Sequence, residues 1–194
     1  MTSAIPAGAL VVLVGPSGSG KTTFAHKHFT PTQVLSSDVC RAMVADDEAD
    51  QSATVAAFTV LHCILDQRLR AGRVTVVDAT NVQAKARRPL VELADRYHRP
   101  KVAIMFELPR AVCKERNHQR QDRVVEDFVV DRQCAQVPVS ADALRAEGFD
   151  PVIVLHSQEE ADAFGRKEGP SPLMYQDRTG PFDIIGDLHG CCDE

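Results

Sequence analysis

Gly15-Pro16-Ser17-Gly18-Ser19-Gly20-Lys21-Thr22 is the stretch that decides the fold. An apolar run, Ala9 to Val14, precedes it, and a segment of helical character from Lys21 to Phe29 follows, ending before Pro31. Strand, glycine loop and helix are the setting a P-loop needs. Gly15, Gly18 and Gly20 let the backbone curl so that successive N–H groups point inward, and the new helix adds its positive end, which together make an anion cradle. Lys21 then reaches the β- and γ-phosphates and the Thr22 hydroxyl holds Mg²⁺. Gly15, Ser17, Gly18, Ser19, Gly20, Lys21, Thr22 and Thr23 are the expected ATP-binding residues of this stretch. A glycine-rich turn that binds nothing is the bland alternative, but the whole pattern in this context points to a nucleoside triphosphate.

The rest of the composition narrows the class. A chain of 194 residues with 44% hydrophobic content holds one good core. Ala9 to Val14 is too short to span a bilayer, so no membrane is expected. Six cysteines without a Cys-x-x-Cys pair predict reduced thiols in a cytoplasm. A net charge of −5 argues against a long groove for duplex nucleic acid, though not against a small site for one strand end.

Along the chain, Gln33 to Leu35, Val74 to Val77, Val102 to Leu108 and Val152 to Leu155 read as further strands. Helices are expected over Ser52 to Ala71, from about Gln83 to Tyr97 with Pro89 bending its early turns, after Pro109, and over two short segments opened by Ser140 and Ser157. This alternation predicts an α/β fold of the P-loop NTPase and kinase type, a parallel sheet with helices on both faces. The acidic cluster Asp46, Asp47, Glu48 and Asp50 reads as a solvated loop. Beyond Phe164 the composition changes. Residues 1–164 are read as the P-loop domain, 165–181 as a linker rich in Gly and Pro, and 182–194 as the start of another unit.

Several residues fall where phosphoryl transfer needs them. Asp38 follows the second strand, and strand carboxyl ends face the ligand crevice of an open sheet, so it is a candidate to orient and deprotonate an attacking hydroxyl. Capping the next helix is its other reading. Arg41, one helical turn on, could clamp an acceptor phosphate or pair with the acidic loop. Asp78 closes the third strand like a Walker-B carboxylate and could hold a Mg²⁺ water, or cap the turn after it. Asn81 is expected to line the same crevice. Arg116, Arg120 and Arg123 recur at helical spacing after the fourth strand, either as a solvated face or as a lid over the triphosphate. Asp187 and His189, in Gly186-Asp187-Leu188-His189-Gly190, have the look of a first metal-binding motif whose remaining ligands do not follow.

The P-loop, then Ser36-Ser37-Asp38-x-x-Arg41, Asp78-Ala79-Thr80-Asn81-Val82 and Glu115-Arg116-Asn117 closely resemble, in order, the kinase module of bacterial polynucleotide kinase-phosphatases, which heal RNA ends for repair. The ending Gly186 to Gly190 looks like the first motif of the metallophosphoesterase that follows in that family. The resemblance implies an ATP- and Mg²⁺-dependent 5′-OH polynucleotide kinase acting on RNA or DNA ends. In it Lys21 binds phosphate, Thr22 Mg²⁺, Asp38 is the base, Arg41 the acceptor clamp, and Arg116 and Arg120 lid contacts, with Arg123 near the nucleobase. It implies further that the chain is an N-terminal fragment, that Asp187 and His189 form an incomplete phosphatase site for Mn²⁺ or a similar ion, and that the full-length protein is a homodimer with an RNA 3′-end methyltransferase partner. A small-molecule kinase of sugar-acid type and a non-catalytic NTP-binding module are the alternatives.

Overall fold

The computed structural model describes residues 2–120, 125–137 and 141–169. Ahead of the P-loop lie strands β1 (Thr2–Pro6) and β2 (Leu10–Val14). All five residues of β2 are fully buried. Because successive side chains of a strand point to opposite faces, Leu10, Val12 and Val14 join one core cluster and Val11 and Leu13 the other. A strand that is apolar on both faces belongs at the centre of a covered parallel sheet, and β2 is the central strand of five.

The P-loop leads into α1 (Lys21–His28), and the chain then runs through β3 (Val34–Ser36), α2 (Ser37–Ala45) and the long α3 (Thr54–Arg70). Next come β4 (Thr75–Asp78), α4 (Ala84–Arg96), with Pro89 inside it, and β5 (Lys101–Phe106). Helices α5 (Arg110–His118), α6 (Asp127–Gln136) and α7 (Ala141–Ala146) precede β6 (Val152–Leu155), α8 (Gln158–Asp162) and β7 (Gly165–Gly169). The large sheet is ordered β3-β4-β2-β5-β6 and every pairing is parallel. On one face Leu61, Leu65 and Leu69 of α3 and Leu90 of α4 pack onto it. On the other, Phe24 of α1, Ala161 of α8 and Phe164 do. This is the α/β P-loop NTPase fold.

Two local expectations change. Gly165–Gly169, read as the opening of a linker, is a strand that pairs in parallel with Thr2–Pro6, so the first five linker residues belong to the folded unit. Neither strand alternates apolar and polar residues, which is why their pairing was hidden. Glu48 is not a solvated loop residue: its main-chain carbonyl accepts from buried Arg41 at 2.7 Å. Arg123, Ser140, Asp187 and His189 lie outside the described residues, as do 170–194 with the rest of the linker.

Candidate active site

The loop between β2 and α1 is held open by its glycines. Gly18 and Gly20 have φ of +78° and +87°, a left-handed backbone that other residues rarely adopt. Gly18 is also pressed against α5, where an added Cβ would fall 2.0 Å from the Cys113 carbonyl oxygen. Gly20, as N-cap of α1, brings no side-chain oxygen to the opening amides of that helix, which leaves them for an anion. Lys21 is buried, and its Nζ donates to the Pro16 carbonyl at 2.7 Å and Ser19 Oγ at 3.3 Å. Ser19 is thus a buried prop of the loop and not a free hydroxyl. Burial lowers the Lys21 pKa from 10.5 to about 8, while the nearby Asp78 charge pulls it back up.

Asp78 ends β4 beside the loop. Its Oδ2 accepts from Thr22 Oγ1 at 2.8 Å. Burial raises its pKa, opposed by Lys21 and by the Thr22 hydrogen bond. Two oxygen ligands side by side, one of them a buried carboxylate wanting positive charge, suit a hard cation that takes its other ligands from water and phosphate.

The capping alternative for Asp38 does not hold. Ser36 is the N-cap of α2, its Oγ accepting from the Asp38 and Val39 amides at 3.3 and 3.4 Å. The Asp38 carboxylate instead meets Arg41 Nη1 at 2.7 Å. Arg41 is only 3% exposed, and its Nε is buried without a hydrogen-bond partner. Both line a cavity of about 230 Å³ together with Ser17, Gly18, Lys21, Thr22 and Asp78.

A second crevice, of about 410 Å³, is lined by Gly18, Gly20, Thr22, Thr23, Arg116, Arg120 and Gln158. Gly18, Thr22 and Arg120 border both spaces. The two chambers therefore adjoin along the loop, and Arg120 reaches the wall of each. Arg116 Nη1 donates to Gln158 Oε1 at 3.0 Å, and Gln158 Nε2 donates to Asp162, which pairs with Lys27 of α1.

Asn81 is a correction. It does not line the cavity, although Ala79 and Thr80 do. At φ +48° its amide turns inward and donates to the Leu13 carbonyl of β2 at 2.9 Å, while Gly15 N donates to the Thr80 carbonyl at 3.0 Å. Asn81 fastens the end of β4 to the end of β2, a structural task. Gln133, Gln158 and Phe58 line the chambers and were not singled out from the sequence. Gln158 had a signal, because it follows the fifth strand as Asp38 follows the second. Gln133, on α6, had none.

A family model described as an AAA domain matches residues 10–147, from β2 to just beyond α7. The chain belongs to this AAA domain family. Among curated proteins this AAA-domain chain is 27% identical over 196 residues to transcription factor bHLH140 of Arabidopsis thaliana, covering 95% of the chain but 19% of that protein. It thus spans about a fifth of that relative's length. Among solved structures, Chaetomium thermophilum Kti12 in complex with ADP-AlF3 superposes with a TM-score of 0.56 at 14% identity, over 79% of this chain and 93% of that one. AvrRxo1-ORF1:-ORF2 with ATP gives 0.60 at 17%, over 81% and 56%. A sugar kinase from Janibacter sp. HTCC2649 gives 0.53 at 20%, over 79% and 89%. At such identities the likeness is one of fold alone. No described helix is long and apolar enough to cross a membrane.

Proposed function

We propose that this AAA-domain protein is an ATP-dependent 5′-hydroxyl polynucleotide kinase, transferring the γ-phosphate of ATP to RNA or DNA ends. The observation that carries the reading is the Asp38–Arg41 pair, released from capping duty and set in one chamber with Lys21 and Asp78. ATP would lie in the crevice of Arg116 and Gln158, with its terminal phosphoryl group in the loop beside Lys21. The acceptor would enter the other chamber, where Asp38 takes the proton of its hydroxyl and Arg41 holds the adjoining phosphate. Arg120, bordering both spaces, meets the charge that spreads over the transferring group. Thr22, and Asp78 through water, would hold Mg²⁺, which neutralises phosphate charge when bound.

The decisive assay offers labelled ATP with a 5′-OH oligonucleotide, a 5′-phosphorylated one and a panel of sugars. Label in the first alone supports the proposal. Label in a sugar and none in the oligonucleotide supports the second reading, a small-molecule kinase, which the modest acceptor cavity of about 230 Å³ favours. Arg41→Ala separates them further: use of an oligonucleotide is expected to fall at least tenfold, the loss of about one charge-assisted hydrogen bond, with ATP affinity kept.

ATP binding should also depend on pH. Folding lowers the Lys21 pKa to about 8, whereas the unfolded lysine keeps its proton up to about 10.5. Between those values the folded state has shed a proton that the unfolded chain retains, so raising the pH relieves the burial cost and adds stability. The same change removes the cation from the cradle. ATP affinity is therefore expected to fall as pH rises above about 8, with a proton taken up on binding there. Calorimetry in two buffers of different ionisation enthalpy measures that proton. A flat affinity through this range would show that burial does not depress the Lys21 pKa.

A further inference from the structure

Ser17 lies in the loop and lines the chamber together with Lys21, Asp38, Arg120 and Gln133. The Ser17 amide hydrogen goes to Gln133 Oε1, 2.8 Å away, on a helix 116 residues further along the chain. Backbone amides of a P-loop are the groups that take phosphoryl oxygens. One amide hydrogen cannot serve two strong acceptors at full strength. We propose that Gln133 is an internal stand-in for a donor phosphoryl oxygen, which must displace it from Ser17 when nucleotide binds.

Three features fit this role. The amide oxygen of glutamine is a good acceptor without a full charge, so it satisfies Ser17 without the stronger bond a carboxylate would make. Lys21 is held in the same manner, by the Pro16 carbonyl and the Ser19 hydroxyl, so two phosphate-directed donors of one loop both rest on ligands from the protein itself. Helix α6 also has anchors that do not pass through Gln133. Gln83 Nε2 donates to Gln136 Oε1 at 2.8 Å, and Lys114 of α5 pairs with Asp131 at 2.8 Å. With those in place the Gln133 side chain can let go while the helix stays. The consequence is that ATP binds more weakly than its cradle alone would allow, by the net value of one hydrogen bond.

This inference rests on the reading that the loop binds ATP, but not on the identity of the acceptor, so its test omits the acceptor. Calorimetric titration of Gln133→Ala with ATP should show affinity raised roughly threefold to tenfold over the parent, the usual net worth of a hydrogen bond. Binding of AMP, which brings no β- or γ-phosphoryl group, should be unmoved. Gln133→Glu should go the other way and weaken ATP by roughly tenfold or more, because a charged acceptor grips the amide harder and repels phosphate. Should the alanine variant fail to fold, Gln133→Asn withdraws the oxygen by one methylene and must show the same gain. An alanine or asparagine variant that binds ATP as the parent does, or less tightly, or that gains equally for AMP, overturns the proposal. Failure of the parent itself to bind ATP would instead remove the nucleotide reading.

Discussion

Asp38→Asn is expected to lower phosphoryl transfer to a 5′-OH oligonucleotide by on the order of 100-fold or more, the usual contribution of a general base. The substitution is conservative where structure is concerned. The amide oxygen can still accept from Arg41 Nη1, which the carboxylate does at 2.7 Å, so buried Arg41 keeps a partner. Ser36, not Asp38, caps α2, so the helix keeps its N-terminal hydrogen bonds. What disappears is the lone pair that takes the proton. ATP lies in the crevice of Arg116 and Gln158 in the proposed arrangement, and its affinity should stay within about twofold, as expected of a group that acts in the transition state. Initial rates and a nucleotide titration on the same preparation check both halves. Turnover within a few-fold of the parent would mean that no base stands at position 38.

The second large effect is structural. Gly18→Ala places a methyl group 2.0 Å from the Cys113 carbonyl oxygen and 3.2 Å from the Asn117 amide, both backbone atoms of α5. The residue also sits at φ +78°, where alanine is strained. Neither the loop nor α5 can yield cheaply. Asn117 is fully buried and exchanges hydrogen bonds with both backbone groups of Val125, so moving α5 would disturb the start of the α6 region as well. Overpacking and backbone strain together should cost about 2–5 kcal/mol, and the displaced loop should lose ATP. Denaturant unfolding, with a titration on the folded fraction, measures the two. An alanine variant as stable as the parent that still binds ATP would show that the loop does not press on α5.

How much of this was legible in the sequence follows from where each signal resides. The cradle, the central strand and the placement of Asp38 and Asp78 could be read because each is local: glycines that need a left-handed backbone, an apolar run too short for a helix, carboxylates at strand ends. The reading of Asn81 failed because its role depends on Leu13, 68 residues away, and no spacing reveals that partner. Gln133 and Gln158 are neutral amides that helices carry everywhere on their surfaces, and only the packing of α6 and α8 gives them a direction. The capping question at Asp38 needed the structure too, since Ser36, Ser37 and Asp38 are all competent caps and the backbone alone decides among them.

The pairing of residues 2–6 with residues 165–169 has a practical corollary. Any shortened version of the protein that stops at Phe164, where the composition changes, would leave the first strand with a bare row of amides and carbonyls, a template for strand addition between molecules. Cut sites for an autonomous piece therefore come as a couple. The leading residues and those up to Gly169 are best kept or discarded together.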